Sequence, residues 1–172
     1  MIFSKIKEYF LQKALKHSSK EDRGVMLAKT IKRVGILTIK ELNDEYDFKE
    51  KVKRVFLEYR SVNCYSYRDF NKTDEKSFIC FSEKDFDWRG KIKDNSLQSF
   101  VNESFDVLIC YFDSNHVFLE SLVLQSKAHF KIGFSNINQS LFDLEISESI
   151  ENVDSFNLEL KKYLQIIGNQ QA

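Results

Sequence analysis

The chain of 172 residues contains no proline and only five glycines. Disordered linkers and loop-built β-sandwiches depend on such residues, so their scarcity argues against both classes. Regular helices and strands are therefore expected to fill most of the sequence. A chain of this length buries roughly 70% of the surface that its unfolded form exposes, so we expect one domain with one core.

Cysteine and long apolar runs are also scarce. Cys64, Cys80 and Cys110 are odd in number, widely spaced and set in apolar segments, which favours free buried thiols over a disulfide framework. No apolar run approaches the ~18 residues that span a bilayer, and Lys5 and Lys7 interrupt the apolar start of the chain. We expect a cytoplasmic protein, with peripheral attachment to the inner membrane face left open.

The net charge of zero conceals a polarised distribution. Residues 1–40 carry ten basic and three acidic side chains, residues 41–93 carry twelve of each, and residues 94–172 carry four basic and eleven acidic ones. The charge therefore runs from +7 through zero to −7 along the chain. A basic segment attracts phosphate-rich or acidic surfaces. The charge pattern therefore indicates which partners the protein could bind and says nothing about catalysis.

The first segment has the pattern of a basic amphipathic helix. Its apolar residues recur at three- and four-residue steps, with lysines around the rest of the circumference; they are Ile2, Phe3, Ile6, Phe10 and Ala14. Residues 1–24 are predicted to form this helix and a connector, and residues 25–172 a single α/β domain. Whether the helix packs on that domain or projects to a partner is left open.

The remaining sequence alternates between strand and helix patterns. Six short β-branched and aromatic runs are predicted as strands, over 34–39, 62–67, 77–81, 106–112, 129–134 and 141–146. Helical patterns follow at about 48–59, 96–104, 115–126 and 153–167. This alternation predicts a three-layer Rossmann-like fold with a mixed, mainly parallel sheet of five or six strands. The connections 68–76 and 135–140 are short for parallel crossovers, so at least one antiparallel pairing is expected.

Motifs for cofactors are missing. The turn after the first strand, residues 40–47, has no glycine and four acids, which excludes a dinucleotide-binding turn, and the phosphate loop GxxxxGK[ST] is absent. The three histidines fall in different elements and no CxxC or HExxH spacing occurs. We therefore expect no cofactor, no metal and no DNA-binding motif.

Two segments could carry a site. Asp113, Ser114 and His116 follow the central strand, where an α/β sheet binds ligands, and could form a base and nucleophile pair or simply cap the next helix through Ser114 or Asn115. The segment 81–92 holds the only tryptophan, Trp88, beside Arg89. It could be a recognition loop, or Phe86 and Trp88 could cover the sheet edge.

The stretches SEKDFDWRGKI, FDVLICYF, SKAHFKIGF, LFDLEI and FNLELKKYLQII resemble a family of small uncharacterised proteins of flavobacteria, a domain of unknown function. The resemblance covers nearly the whole chain and brings no activity with it. The segment FDVLICYFDSNHVFLESLVLQSKAHFKIGF is also similar to the N-terminal half of heptosyltransferase-type glycosyltransferases. The chain lacks their glycine-rich first turn and their second domain, so this likeness implies a scaffold only.

Two functional hypotheses follow. The first is a non-enzymatic binding module that docks on RNA, an acidic protein or a membrane surface through its N-terminal helix, with contacts from Lys5, Lys7, Lys13, Lys16, Lys20, Arg23, Phe3 and Phe10. The second is a small enzyme or ligand-binding domain with a pocket at the strand ends, bounded by Trp88, Arg89, Asp113, Ser114, His116 and Ser135. No catalytic residue is assigned.

Overall fold

The computed structural model describes residues 2–18, 27, 30–56, 59–73 and 79–170. The helices are α1 (Ile2–His17), α2 (Lys40–Tyr46), α3 (Phe48–Val55), α4 (Asn95–Asn102), α5 (Val117–Gln125) and α6 (Val153–Gln170). The strands are β1 (Arg33–Ile39), β2 (Ser61–Tyr67), β3 (Cys80–Phe81), β4 (Val107–Tyr111), β5 (Lys131–Phe134) and β6 (Leu144–Ile146). Short 3₁₀ turns occupy Glu83–Asp85 and Gln139–Leu141.

The strands form one six-stranded sheet in the order β3-β2-β1-β4-β5-β6. Every residue of β4 is buried, as expected for a central strand covered on both faces. The chain order changes direction between β1 and β4, which is the arrangement of the doubly wound Rossmann fold. The predicted α/β class with helices flanking a sheet is confirmed.

The predicted antiparallel pairing is wrong for the strands that the structure describes, because all five of their pairings are parallel. The short connections suffice because the edge strands are very short. The first residue of β3 pairs with Ser66, one residue before β2 ends, and the first residue of β6 pairs with Ile132, two residues before β5 ends. The chain therefore travels back only a few ångströms, and no long crossover is required.

The helices cover both faces of the sheet. Consecutive residues of a strand point to opposite faces, and in β2 the thiol of Cys64 lies 3.9 Å from Asn43 of α2 while the ring of Tyr65 packs on Phe100 of α4, with centroids 4.7 Å apart. Helices α3 and α6 pack together on the first face, and α4 and α5 on the second. The sheet is thus the middle layer of three.

Helix α1 forms an additional layer, because it packs mainly on α5. Leu11 and Leu15 are buried in this contact. Buried residues surround α5 on both sides, since it lies between the sheet and α1. The open question about α1 is thereby answered: it packs on the body. The predicted boundary at residue 24 lies outside the described residues and stays a prediction.

Candidate functional site

The place where Rossmann folds bind cofactors is closed by side chains. Tyr111 at the end of β4 is fully buried, stacks on Phe48 at 3.8 Å, and donates a hydrogen bond of 2.5 Å to the carbonyl oxygen of Ile150. Thr38 near the end of β1 donates to the carbonyl oxygen of Tyr111 at 2.8 Å. The expected turn at residues 40–47 is a helix, since α2 begins at Lys40 directly after β1. Within the part of the chain that the structure describes, these side chains pack across the ends of β1 and β4.

His116 serves as the N-cap of α5, a position that the sequence suggested for Ser114 or Asn115. Its Nδ1 accepts the N–H of Leu119 at 3.3 Å, and its own N–H donates to Oε1 of Glu120 at 2.8 Å. Burial lowers the pKa of His116, with the carboxylate of Asp69 acting in the opposite direction. Burial raises the pKa of Glu120. The prediction that a polar side chain caps the start of this helix is confirmed, but the capping residue is His116 and not Ser114 or Asn115.

Two aromatic rings also pack beside the imidazole of His116. Its ring lies 4.1 Å from that of Tyr67 and 6.1 Å from that of Phe118. The hydroxyl of Tyr67 donates to Asp69 at 3.1 Å, and burial raises the pKa of Tyr67. The imidazole is therefore packed between the end of β2 and the start of α5.

The other predicted pocket residues at the strand ends are tied to local partners. The carbonyl oxygen of Asp113 accepts a hydrogen bond of 2.6 Å from the side chain of Asn136, and the hydroxyl of Ser135 accepts one of 2.9 Å from Ser147. Ser114 is exposed. The ring of Trp88 contacts Phe10 of α1, and Arg89 lies over the Trp88 ring. That these six residues bound one pocket stays a prediction.

Trp88 stands at the tip of a tight turn that leaves it half exposed, at 49%. An isolated antiparallel bridge between Phe86 and Ile92 forms the base of the turn, and Gly90 adopts a φ of +80° at its tip. The carboxylate of Asp87 accepts the N–H groups of Arg89 and Lys91 at 2.8 and 2.9 Å. The alternative that Phe86 and Trp88 both cover the sheet is right for Phe86, which is buried, and wrong for Trp88.

Helix α1 and this turn meet in one surface. The ring of Phe10 contacts that of Trp88 edge-on, with centroids 5.9 Å apart, and Nζ of Lys7 donates to the carbonyl oxygen of Glu83. Burial and neighbouring Lys93 lower the pKa of Lys7, while nearby acids oppose this. We call the exposed and half-buried side chains along this junction the basic–aromatic surface; they are Ile6, Lys7, Tyr9, Phe10, Lys13, Lys84, Trp88, Arg89, Lys91 and Lys93. Lys5 stands three turns before Lys16 in α1 and therefore on the same face as Lys16.

The remaining predicted residues of the first segment are Phe3, Lys16, Lys20 and Arg23. Lys16 faces a groove and not Trp88. Phe3 belongs to α1, but its side chain lies outside what the structure describes, as do Lys20 and Arg23 entirely. The two segments that the sequence suggested for recognition, α1 and residues 81–92, contact each other, which no local pattern indicates. Their role in recognition stays a prediction.

That groove opens between α1, the start of α5 and the loop after β5, with a volume of about 520 Å³. Its polar lining includes Gln12, Lys16, Asn115, Glu120 and Asn136. It lies beside the carboxyl ends of β4 and β5, on the side of the sheet where ligands of doubly wound folds are found. Sequence reasoning missed the groove, because three of its nine lining residues come from α1, whose position the sequence does not fix.

Among the described residues, no cluster of three His, Cys, Asp or Glu side chains could hold a metal ion, and no helix is long and apolar enough to cross a membrane. Comparison with known families gives one result: a family of unknown function, DUF6913, matches residues 5–167. The chain belongs to this family. No curated protein and no solved structure matches the chain. The likeness to a glycosyltransferase scaffold stays an expectation.

Proposed function

We propose that this protein is a binding module whose basic–aromatic surface recognises single-stranded RNA. The observation that carries the proposal is the contact between Phe10 and Trp88, two partly exposed rings with centroids 5.9 Å apart that are surrounded by lysine and arginine. Single-stranded nucleic acid is bound by such a combination, because bases stack on aromatic rings while cations follow the phosphates.

The cations are positioned by the rings. The guanidinium of Arg89 lies 4.4 Å from the centroid of the Trp88 ring, and Nζ of Lys84 lies 3.1 Å from that of the Phe70 ring. A cation held over an aromatic face is ordered before the partner arrives, which lowers the entropy lost on binding. The turn therefore presents charge and stacking area together.

Two acids of the same segments accept hydrogen bonds from backbone N–H groups. Asp85 accepts the N–H of Ser82 at 2.8 Å and Asp87 accepts two N–H groups of its own turn. Residues 4–17 and 82–93 together carry eight Lys or Arg side chains and four acidic ones. Eight basic side chains against four acidic ones leave an excess of four positive charges, which supports an anionic partner.

The alternatives explain less of this surface. An acidic protein partner would pair with the lysines, but it would not explain why the ring of Tyr9 is 61% exposed. A membrane-bound helix would turn its apolar face to the lipid, whereas Leu11 and Leu15 of α1 face the body. The bases of RNA would stack on the rings and its phosphates would pair with the cations, so RNA is the partner that we favour.

The test is a titration with a fluorescently labelled oligouridine of twelve nucleotides, followed by anisotropy and by quenching of Trp88, the only tryptophan. Trp88→Ala is expected to weaken binding by about 5- to 150-fold, since base stacking contributes roughly 1–3 kcal/mol per base. Lys13→Gln should weaken binding as well. Lys127→Gln, an equal charge change at an exposed lysine between α5 and β5, is the matched control.

Salt dependence provides the second measurement. With about four phosphate contacts on a single strand, raising the salt from ~50 to ~200 mM should weaken binding roughly 50-fold. The proposal fails if the oligonucleotide does not bind at ~50 mM salt, or if Lys13→Gln and Lys127→Gln behave alike. Binding to anionic lipid vesicles without binding to RNA would favour the membrane instead.

A second candidate is a ligand-binding domain, for which the 520 Å³ groove is the supporting observation. Its amide-rich lining suits a neutral ligand with many hydrogen-bonding groups. Side-chain amide resonances of Asn115 and Asn136 would be followed by NMR while a nucleoside and a monosaccharide are added in turn. Shifts confined to these amides would support the candidate, and unchanged resonances at ~10 mM ligand would reject it.

A further inference from the structure

The outer edge of β2 is open over most of its length. Within the part of the chain that the structure describes, β3 pairs only with Ser66 and Tyr67, the last two residues of β2. A cleft of about 420 Å³ is lined by the four preceding residues, 62–65. Since consecutive side chains of a strand point to opposite faces of the sheet, a cleft lined by four consecutive residues runs along the edge itself.

The backbone of β2 presents free hydrogen-bonding groups to this cleft. The N–H of Ser61 donates to the carbonyl oxygen of the residue before β1, whereas the N–H of Ser66 donates to that of Ile79, before β3. Odd-numbered residues of β2 therefore face β1, and even-numbered ones face the outer edge. The N–H groups of Val62 and Cys64 and the carbonyl oxygen of Val62 have no partner among the described residues.

The sequence of β2 does not protect this edge. Native proteins blunt exposed edges with very short strands, charged side chains or proline. The opposite edge of the sheet follows this rule, since β6 has only three residues and one of them is Glu145. Residues 61–65 of β2 carry neither charge nor proline. An edge of this kind is the usual place at which an extended peptide adds to a sheet.

The charges of the cleft are ordered along the strand. Phe48, next to Lys49, stacks on Tyr111 at the end of β4, so Lys49 lies toward the carboxyl end of the cleft. Lys49 has no ion pair with a described residue. Glu103, just after α4, accepts a hydrogen bond of 3.0 Å from the side chain of Asn63 and lies nearer the amino end. The cleft is therefore positive at its carboxyl end and negative before it.

A second copy of the chain would collide with β3. The register that pairs the free groups of two β2 edges has a two-fold axis at Asn63, and it places Arg60 of each copy opposite Ser66 of the other. That position is already held by Ile79 and Cys80. For the same reason, any bound segment must end or turn away where β3 begins. The edge therefore suits the end of an extended chain.

We propose that this cleft binds the carboxyl-terminal residues of a partner protein as an added parallel strand. In this direction the bound chain ends before Ile79, and its terminal carboxylate pairs with Lys49. An antiparallel chain end would bring its ammonium group to Lys49, which repels it. The free groups of Val62 and Cys64 hold the backbone of the peptide, and a basic side chain on the α4 side pairs with Glu103.

The probe is the peptide acetyl-Val-Thr-Val-Lys-Val with a free carboxylate. In the parallel register its lysine lies beside Asn63, and alternate valines lie beside Val62 and Cys64. Backbone amides are followed by NMR during a titration. The signals of Val62 and Cys64 should shift, and their N–H groups should exchange more slowly with solvent in the complex. Exchange at Asn63, which already faces β1, should change less.

Three comparisons test the binding mode. Replacing the carboxylate of the peptide by an amide should weaken binding about 3- to 10-fold, and Lys49→Gln should remove this difference. Lys51→Gln is the matched control, because Lys51 pairs with Asp154 at 3.1 Å outside the lining of the cleft. A peptide that is N-methylated at its lysine cannot donate to Val62 and should not bind.

Several outcomes would overturn the proposal. They are an absence of shifts at Val62 and Cys64 with ~2 mM peptide, equal binding of the acid and the amide, equal behaviour of Lys49→Gln and Lys51→Gln, and undiminished binding of the N-methylated peptide. Both lysines are partly exposed, so the variants should fold. None of these outcomes depends on RNA binding, so this proposal and the proposed function fail separately.

Discussion

Leu11 of α1 packs directly over Gly90 in the turn that carries Trp88. A Cβ atom placed on Gly90 would lie 2.5 Å from Cδ2 of Leu11 and 2.8 Å from its Cγ. Gly90 also has a φ of +80°, a conformation that other residues adopt only with strain. Together with the contact of Phe10 and Trp88, this packing joins the N-terminal helix and the tryptophan turn in one surface.

Gly90→Ala is expected to destabilise the fold by about 2–4 kcal/mol, because strain at positive φ adds to the clash with Leu11. Gly168→Ala is the control, since Gly168 lies in α6 with no atom within 4 Å of the added methyl group, and it should be neutral or stabilising by up to about 1 kcal/mol. Urea unfolding followed by circular dichroism measures both. Equal stabilities of the two variants would show that α1 does not rest on the turn.

Trp88 and Phe86 are expected to differ sharply although they are two residues apart. Phe86 is 1% exposed and contacts the ring of Phe118 at 5.2 Å, so Phe86→Ala should cost about 3–5 kcal/mol. Trp88→Ala should cost less than about 1.5 kcal/mol, since the ring is 49% exposed. The emission of Trp88 should be quenched by acrylamide in the native state. A blue-shifted emission that resists quenching would contradict the exposed position.

His116 should make stability depend on pH. Burial lowers its pKa in the folded state below the ordinary value of 6.5, so the folded protein favours the neutral imidazole. As the pH falls below about 6.5, the unfolded chain binds the proton first and the free energy of unfolding decreases. The raised pKa of Glu120 acts in the opposite sense, since it favours the protonated carboxyl at low pH.

The test compares urea midpoints at pH 7.5 and 5.5 for the native protein and His116→Asn. Asparagine can also accept the N–H of residue 119, so the variant keeps a cap and loses only the titrating group. The native protein should lose more stability than the variant between these two pH values. If the urea midpoint falls equally in both proteins, His116 is not the group that causes the pH dependence.

The three cysteines should differ in reactivity. Burial raises the pKa of Cys64 to about 11 and raises that of Cys110 as well, whereas Cys80 is only partly buried. Because the thiolate is the reactive form, an aromatic disulfide reagent at pH 8 should modify one thiol quickly in the native protein. Cys80→Ser should abolish this fast phase, and unfolding should release the other two. Two fast thiols in the native protein would contradict the burial of Cys64 or Cys110.

Several elements could be predicted because their signals are local. Helix α1 and helix α6 have apolar residues at helical spacing, and β4 is a continuous apolar run. Helix α2 was not predicted, since KELNDEY contains one strongly apolar residue and its acids resemble a turn. The N-cap of α5 was assigned to neighbours of His116, because a histidine caps a helix less often than serine or asparagine does.

The sequence by itself determined the order of strands and helices, the alternation that makes an α/β sheet, and the positions of the basic and aromatic residues in the chain. These follow from side-chain periodicity and charge, which act over a few residues. Only the tertiary structure decided that all described strands pair in parallel, that Tyr111 closes the usual cofactor crevice, and that Phe10 meets Trp88. Such contacts join residues far apart in sequence, and their geometry depends on how the layers pack, which no local pattern records.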